Sequence, residues 1–260
     1  MHRYFSALIL TLTAAGAAPA VVKTMAIDYE HGGVQLQGYL AYDDAKPGPR
    51  PAVLVAHDWT GHNEYARRRA VQLAELGYVG FASDMYGKGV LLKDPQQAAG
   101  KAGGFKKDRQ LTRQRMNAAL AVVRQQPMVD GKRVAVMGYC FGGLCALELA
   151  RSGADIVGCV SFHGDLSSPH PEDAKNIKCR VLALHGADDP HVPPDQVAAF
   201  EDEMRKAGVD WELVAYGGAV HSFTNPAAGT DKSRGNAYDA KADARSWAEL
   251  KTFLTDVFGQ

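Results

Sequence analysis

Residues 133–150 read RVAVMGYCFGGLCALELA, and Cys140 at the centre of that run is the chain's foremost candidate nucleophile. An apolar stretch, Val134–Met137, leads into Gly138-Tyr139-Cys140-Phe141-Gly142, and a helical pattern with Leu144, Leu147 and Leu149 follows at once. Strand, sharp turn and helix are the context of a nucleophile elbow, here with a thiol where a hydroxyl is usual. Such a turn holds the nucleophile in a strained backbone conformation, and small neighbours let strand and helix approach closely. The pattern predicts the thiol at the tip, the backbone N–H of Phe141 free to bind an oxyanion, and a helix N-terminus that favours a thiolate.

A thiol needs a base to carry its proton, and the base needs an acid to orient it. Two further apolar runs end in loops with suitable residues. The run ending at Leu184 is followed by His185-Gly186-Ala187-Asp188-Asp189-Pro190-His191-Val192-Pro193. The run ending at Tyr216 is followed by Gly217-Gly218-Ala219-Val220-His221-Ser222-Phe223. The order is nucleophile, acid, histidine, which is that of α/β-hydrolases. On spacing alone, either Asp188 or Asp189 serves as the acid, and His221 is the base. A third loop, His57-Asp58-Trp59-Thr60-Gly61-His62-Asn63, stands where a second oxyanion donor belongs, so the Trp59 N–H would join that of Phe141. Asp58 either projects toward the nucleophile or is a helix-capping acid before Asn63. His57, His163, His185 and His191 read as local hydrogen-bonding residues.

The elements that must position these residues alternate. Met25–Glu30 and Val34–Tyr42 read as two strands joined by His31-Gly32-Gly33, a hairpin signal. Ala52–Ala56 is a continuous apolar run, as expected of a strand buried on both faces. A helix from Asn63 to Leu76, a strand over Val79–Ala82 and a long helical pattern from Pro95 to Gln125, interrupted at Gly100 and Gly103-Gly104, come next. After the elbow helix follow strands at Ile156–Phe162, Val181–His185 and Trp211–Tyr216, and helices at Pro193–Lys206 and Tyr238–Phe258. Alternation of this kind means crossover connections and a mostly parallel sheet of about eight strands with helices on both faces. Sites in such sheets form beyond the carboxyl ends of the strands, where all three loops lie.

Composition narrows the function classes. The chain has 260 residues with 29 Lys+Arg and 29 Asp+Glu, so its formal net charge is zero and nothing points to nucleic acid or an anionic membrane as a partner. The basic cluster Lys106, Lys107, Arg109, Arg113 and Arg115 reads as a solvated helix face. Arg3, the apolar run 5–12 and Ala18-Pro19-Ala20 resemble a secretory signal over residues 1–20, which would leave one domain, 21–260, in the periplasm or secreted. A Cys159–Cys179 disulfide is possible in that setting, and two buried thiols are the simpler expectation. A monomer acting on a small molecule is expected.

The segments VLVAHDWTGHN, FASDMYGKG, GYCFGG, LHGADDPHVP and GGAVHSFTNP, which span residues 53–226, together resemble the dienelactone hydrolase family of α/β-hydrolases. The resemblance implies hydrolysis of esters or lactones through an acyl-thioester, without metal or cofactor. It puts the triad on Cys140, Asp189 and His221, because the aspartate before Pro-x-Val-Pro is the family's acid. Its best-known members carry Glu at the position of Asp58, where it pairs with the resting thiol. They hold a substrate carboxylate with two arginines at the positions of Lys88 and Asn225. The resemblance thus makes Asp58 a thiol-switch acid and Lys88 and Asn225 substrate-binding residues. Two other readings stay open: a thiol redox or binding protein on a hydrolase scaffold, and a hydrolase of a different acyl substrate.

Overall fold

The computed structural model describes residues 21–259, so the signal-like segment 1–20 lies outside the described residues. Its strands are β1 (Val22–His31), β2 (Val34–Asp43), β3 (Arg50–Ala56), β4 (Val79–Ser83), β5 (Val129–Tyr139), β6 (Gly158–Phe162), β7 (Arg180–Gly186) and β8 (Trp211–Tyr216). They form one sheet in the order β1-β2-β4-β3-β5-β6-β7-β8. The first two strands make an antiparallel hairpin and β2 runs antiparallel to β4; every later pairing is parallel. Gly32 and Gly33 turn the hairpin with φ of 61° and 74°, values that a tight two-residue turn between twisted strands requires.

The central strands are apolar throughout because both of their faces are covered. Every residue of β3, β4 and β6 is buried. On β5, Val134 and Val136 point to one core layer and Ala135 and Met137 to the other. The first layer is closed by α3 (Arg109–Arg124) and α4 (Phe141–Arg151), through Met116, Leu120, Leu144 and Leu147. The second is closed by α1 (Glu64–Glu75) and α6 (Ala240–Phe258), through Leu73, Leu250 and Leu254. The remaining helix, α5 (Pro194–Ala207), ends on Gly208 in the left-handed conformation.

Two expectations need correction. The long helical pattern breaks at Asp108, not at the glycines. It forms α2 (Pro95–Lys107) and then α3, and the Asp108 carboxylate caps the latter by accepting from the Leu111 N–H at 2.9 Å. Glycines inside a helix cost about 1 kcal/mol each, which tertiary packing can carry, whereas a carboxylate cap starts a new helix outright. The basic cluster, in turn, is a solvated face only at Lys106 and Lys107. Arg109 and Arg115 are buried, and Arg115 donates to the Met85 carbonyl at 3.1 Å.

The acids that draw this cluster inward lie behind the elbow. Glu148 on α4 is wholly buried and meets Arg113 Nε at 2.7 Å and Arg151 Nη1 at 3.1 Å. Arg151 also grips Glu203 of α5 through Nε and Nη2, both at 2.8 Å. Buried charges persist only when paired and hydrogen-bonded, so this cluster pins α3, α4 and α5 together. All four cysteines are free. Burial pushes the Cys179 thiol up to about 12 and the Cys159 thiol well above its ordinary value, so both pack as small apolar groups. Among the described residues, no helix is long and apolar enough to cross a membrane.

Candidate active site

Cys140 occupies the turn between β5 and α4 with φ 56° and ψ −118°, a conformation that β-carbon-bearing residues rarely adopt. Its own N–H donates to the Phe162 carbonyl at 3.0 Å, which anchors the turn on the neighbouring strand. The flanking glycines are steric necessities. A methyl group at 138 would collide with the Gly142 carbonyl, and one at 142 with the Ala56 carbonyl at the end of β3. Phe141 opens α4, where no preceding helical carbonyl can take its N–H. The Trp59 N–H likewise donates to no protein group among the described residues. Trp59 is held in place through its carbonyl, which accepts from the Tyr86 hydroxyl at 3.0 Å.

His221 arrives from the loop after β8. Its backbone is fixed on both sides, donating to the Gly235 carbonyl at 3.1 Å and accepting from the Ala237 N–H at 3.0 Å. Its Nδ1 donates to Asp189 Oδ2 at 2.8 Å. The other oxygen of Asp189 accepts the His191 N–H at 2.8 Å, so this carboxylate is buried and fully engaged. Asp188, the alternative acid on spacing, points to solvent. Burial by itself would lower the His221 pKa. The adjoining Cys140 sulfur and the Asp189 carboxylate outweigh it and push the pKa up to about 10.

The neighbouring histidines stay neutral. His57 is wholly buried; its Nδ1 donates to the Asp58 carbonyl at 2.6 Å and its Nε2 accepts the Met85 N–H at 3.2 Å. Burial holds its pKa below the ordinary value. His163 packs edge-on against the His221 ring at 5.3 Å and meets the Thr224 hydroxyl at 2.7 Å. Burial pushes its pKa well down. His191 meets His221 edge-on from another side at 5.1 Å. The His163 and His191 rings wall the imidazole, and burial holds both below their ordinary pKa.

A cavity of about 330 Å³ opens beside Cys140 and His221, bordered by Trp59, Phe141 and the small residues Ala99, Ala102 and Gly103 of α2. The sequence placed other residues here. Lys88 pairs instead with Asp28 on β1 at 2.7 Å, exposed on the surface and away from the cavity lining. Asn225 spends its side-chain oxygen on the Ala227 N–H at 3.0 Å and does not line the cavity either. The oxygens of Asp58 are taken up by the Thr60 N–H and hydroxyl, at 2.8 and 2.6 Å, and by Asn63 Nδ2 at 3.0 Å. Asp58 therefore braces the loop before α1 and reaches neither the thiol nor the helix N-terminus, which Asn63 caps by accepting from the Ala66 N–H at 3.1 Å. The polar lining comes from Lys106, Asp165, His191, Ser222 and Asn236. Asp165 follows β6 at the carboxyl edge of the sheet, a position that could have marked it; nothing local marks Lys106 or Asn236.

The family model of the dienelactone hydrolase family matches residues 36–258. The chain belongs to the dienelactone hydrolase family. Among relatives of this hydrolase, a protein of Aquifex aeolicus named putative carboxymethylenebutenolidase is 29% identical over 234 residues, covering 88% of this chain and 96% of the relative. A solved dienelactone hydrolase-like promiscuous phosphotriesterase from metagenomic libraries is 40% identical, with a TM-score of 0.86 over 91% of this chain and 98% of its own. A putative dienelactone hydrolase from Klebsiella pneumoniae, 21% identical, shares the fold with a TM-score of 0.80 over 90% of this chain and 99% of its own. The eight-stranded α/β-hydrolase sheet of this family member sets the Cys140, Asp189 and His221 loops at one carboxyl edge.

Proposed function

We propose that this hydrolase cleaves a carboxylic ester or lactone with Cys140 as nucleophile, His221 as base and acid, and Asp189 as the residue that orients the imidazole. The observation that carries the reading is the His221–Asp189 contact of 2.8 Å, formed at the same sheet edge as Cys140, which the turn holds at φ 56°. An imidazolium is the natural counter-ion of a thiolate. The thiolate adds to the substrate carbonyl carbon, and the oxyanion takes the N–H groups of Trp59 and Phe141. Collapse forms the thioester and breaks the C–O bond, while His221 Nε2 gives its proton to the departing alkoxide. A water then loses a proton to His221 as it attacks the thioester carbonyl. The acid leaves, and the proton returns the imidazolium beside the thiolate. In a lactone the alkoxide stays tethered and the product is one hydroxy acid.

Cys140→Ala tests this reading. It should abolish turnover of an activated aryl ester with the circular dichroism spectrum unchanged, and mass spectrometry should find the acyl adduct in wild type alone. Undiminished turnover in that variant would refute the assignment. A mixed disulfide on Cys140 with no esterase activity in wild type would favour the redox reading.

A further inference from the structure

We propose that Asp165 sets the charge preference of this hydrolase by masking Lys106, so that the cavity selects esters carrying no negative charge. The proposal rests on the reading that substrate occupies the cavity beside Cys140. Among the described residues, Lys106 and Asp165 are the only lysine and the only carboxylate lining that cavity, and Arg is absent from the lining. They face one another across it: Lys106 stands on the last turn of α2, Asp165 just past β6, and Nζ lies 2.9 Å from Oδ2.

Three features make the mask durable. Asp165 is held independently of the lysine, since its Oδ1 accepts the Ser167 N–H at 2.9 Å and also the Gln196 side-chain amide. Burial opposes its charge, yet Lys106 and Ser167 hold its pKa down to about 2, so it is ionised throughout the working range of an esterase. No other lining group supplies spare positive charge. Burial and the nearby His221 keep His191 below its ordinary value, hence neutral at pH 7 and above, and His221 is paired with Asp189 at 2.8 Å. An anionic substrate therefore meets a lysine already satisfied and a fixed carboxylate that repels it. A neutral ester meets the apolar walls of Trp59, Phe141, Ala99 and Ala102 and the uncharged polar groups of Ser222 and Asn236. This differs from carboxylate capture by arginines, the property the family resemblance implies at positions 88 and 225.

The test compares 4-acetoxybenzoate with 4-acetoxybenzamide, which differ in charge and little in shape. The readout is the ratio of kcat/KM for the anion to that for the neutral ester. Asp165→Asn keeps an acceptor for Ser167 and frees Lys106, so the ratio should rise about tenfold; adding Lys106→Gln should return it. A folded Asp165→Asn with a ratio within twofold of wild type would overturn the proposal, as would a rise that persists in the double variant. A second measurement needs no variant: on wild type, benzyl alcohol should inhibit competitively at concentrations at least tenfold below benzoate, and stronger inhibition by benzoate refutes the mask. Failure of the catalytic reading looks different, because Cys140→Ala would then hydrolyse both esters at wild-type rates while the ratio remains measurable.

Discussion

Asp189→Asn is the most demanding test of the arrangement around His221, because the structure dictates which way the new amide must face. One oxygen of Asp189 accepts a backbone N–H, that of His191, at 2.8 Å, and the other accepts His221 Nδ1 at 2.8 Å. The backbone donor cannot change its role. If Asn put its NH₂ there, two donors would face each other in a buried site, at a cost of roughly 1–3 kcal/mol. The amide therefore turns its oxygen to His191 and its NH₂ to His221. Nδ1 must then accept, the imidazole proton moves to Nε2, and the base facing Cys140 is lost. The charge that supports the imidazolium goes as well, and a hydrogen bond to a charged group is worth about 1.5–3 kcal/mol. The lost charge contact alone lowers kcat on the order of 10–10², and the misplaced proton, which removes the base, deepens the fall toward the order of 10⁴. Stopped-flow turnover of an aryl ester at pH 7.5 measures it. Asp189→Ala supplies the control: it removes the charge without imposing the wrong tautomer, so it should be no slower than Asp189→Asn. A folded Asp189→Asn within fivefold of wild type, or an alanine variant markedly slower than the asparagine, would refute the reasoning.

The other predictions concern residues away from the imidazole. Arg151→Met should lower unfolding stability by about 3–5 kcal/mol in a urea titration, since it strands Glu203 and weakens the pairing of buried Glu148; a loss under 1 kcal/mol would mean the cluster contributes little. Lys88→Ala should change kcat/KM less than twofold for anionic and neutral esters alike, because Lys88 pairs with Asp28 outside the cavity. A selective loss on the anionic ester would return Lys88 to the substrate site.

The elbow was legible because its constraint is local. Gly138 and Gly142 lie within two residues of Cys140, and the collisions they avoid involve the turn and the strand end beside it. The strand-to-loop junctions at Asp189 and His221 were legible for a related reason: a run buried on both faces must be apolar, so its polar end marks the sheet edge. The choice between Asp188 and Asp189 was not legible from spacing, since adjacent residues in a turn point in different directions. The break at Asp108 was not legible because packing of Ala98, Ala102 and Phe105 carries α2 through its glycines, and a capping carboxylate inside a continuous helical pattern carries no periodicity signal of its own. Lys88 and Asn225 do not line the cavity because position in a motif does not say where a side chain is drawn. Asp28 sits within 2.7 Å of one, and the Ala227 N–H within 3.0 Å of the other.

What the sequence by itself determined is the hydrolase scaffold and the chemical character of its three strand-end loops, because strand period, turn sterics and residue order act over a few residues at a time. What only the tertiary structure decided is the charge environment. The inward turn of Arg109 and Arg115, the bracing of Asp58 by Thr60 and Asn63, and the meeting of Lys106 with Asp165 all join distant or differently oriented groups. Charge pairs are chosen by distance in space, and that distance exists only after the sheet has brought the loops to one edge.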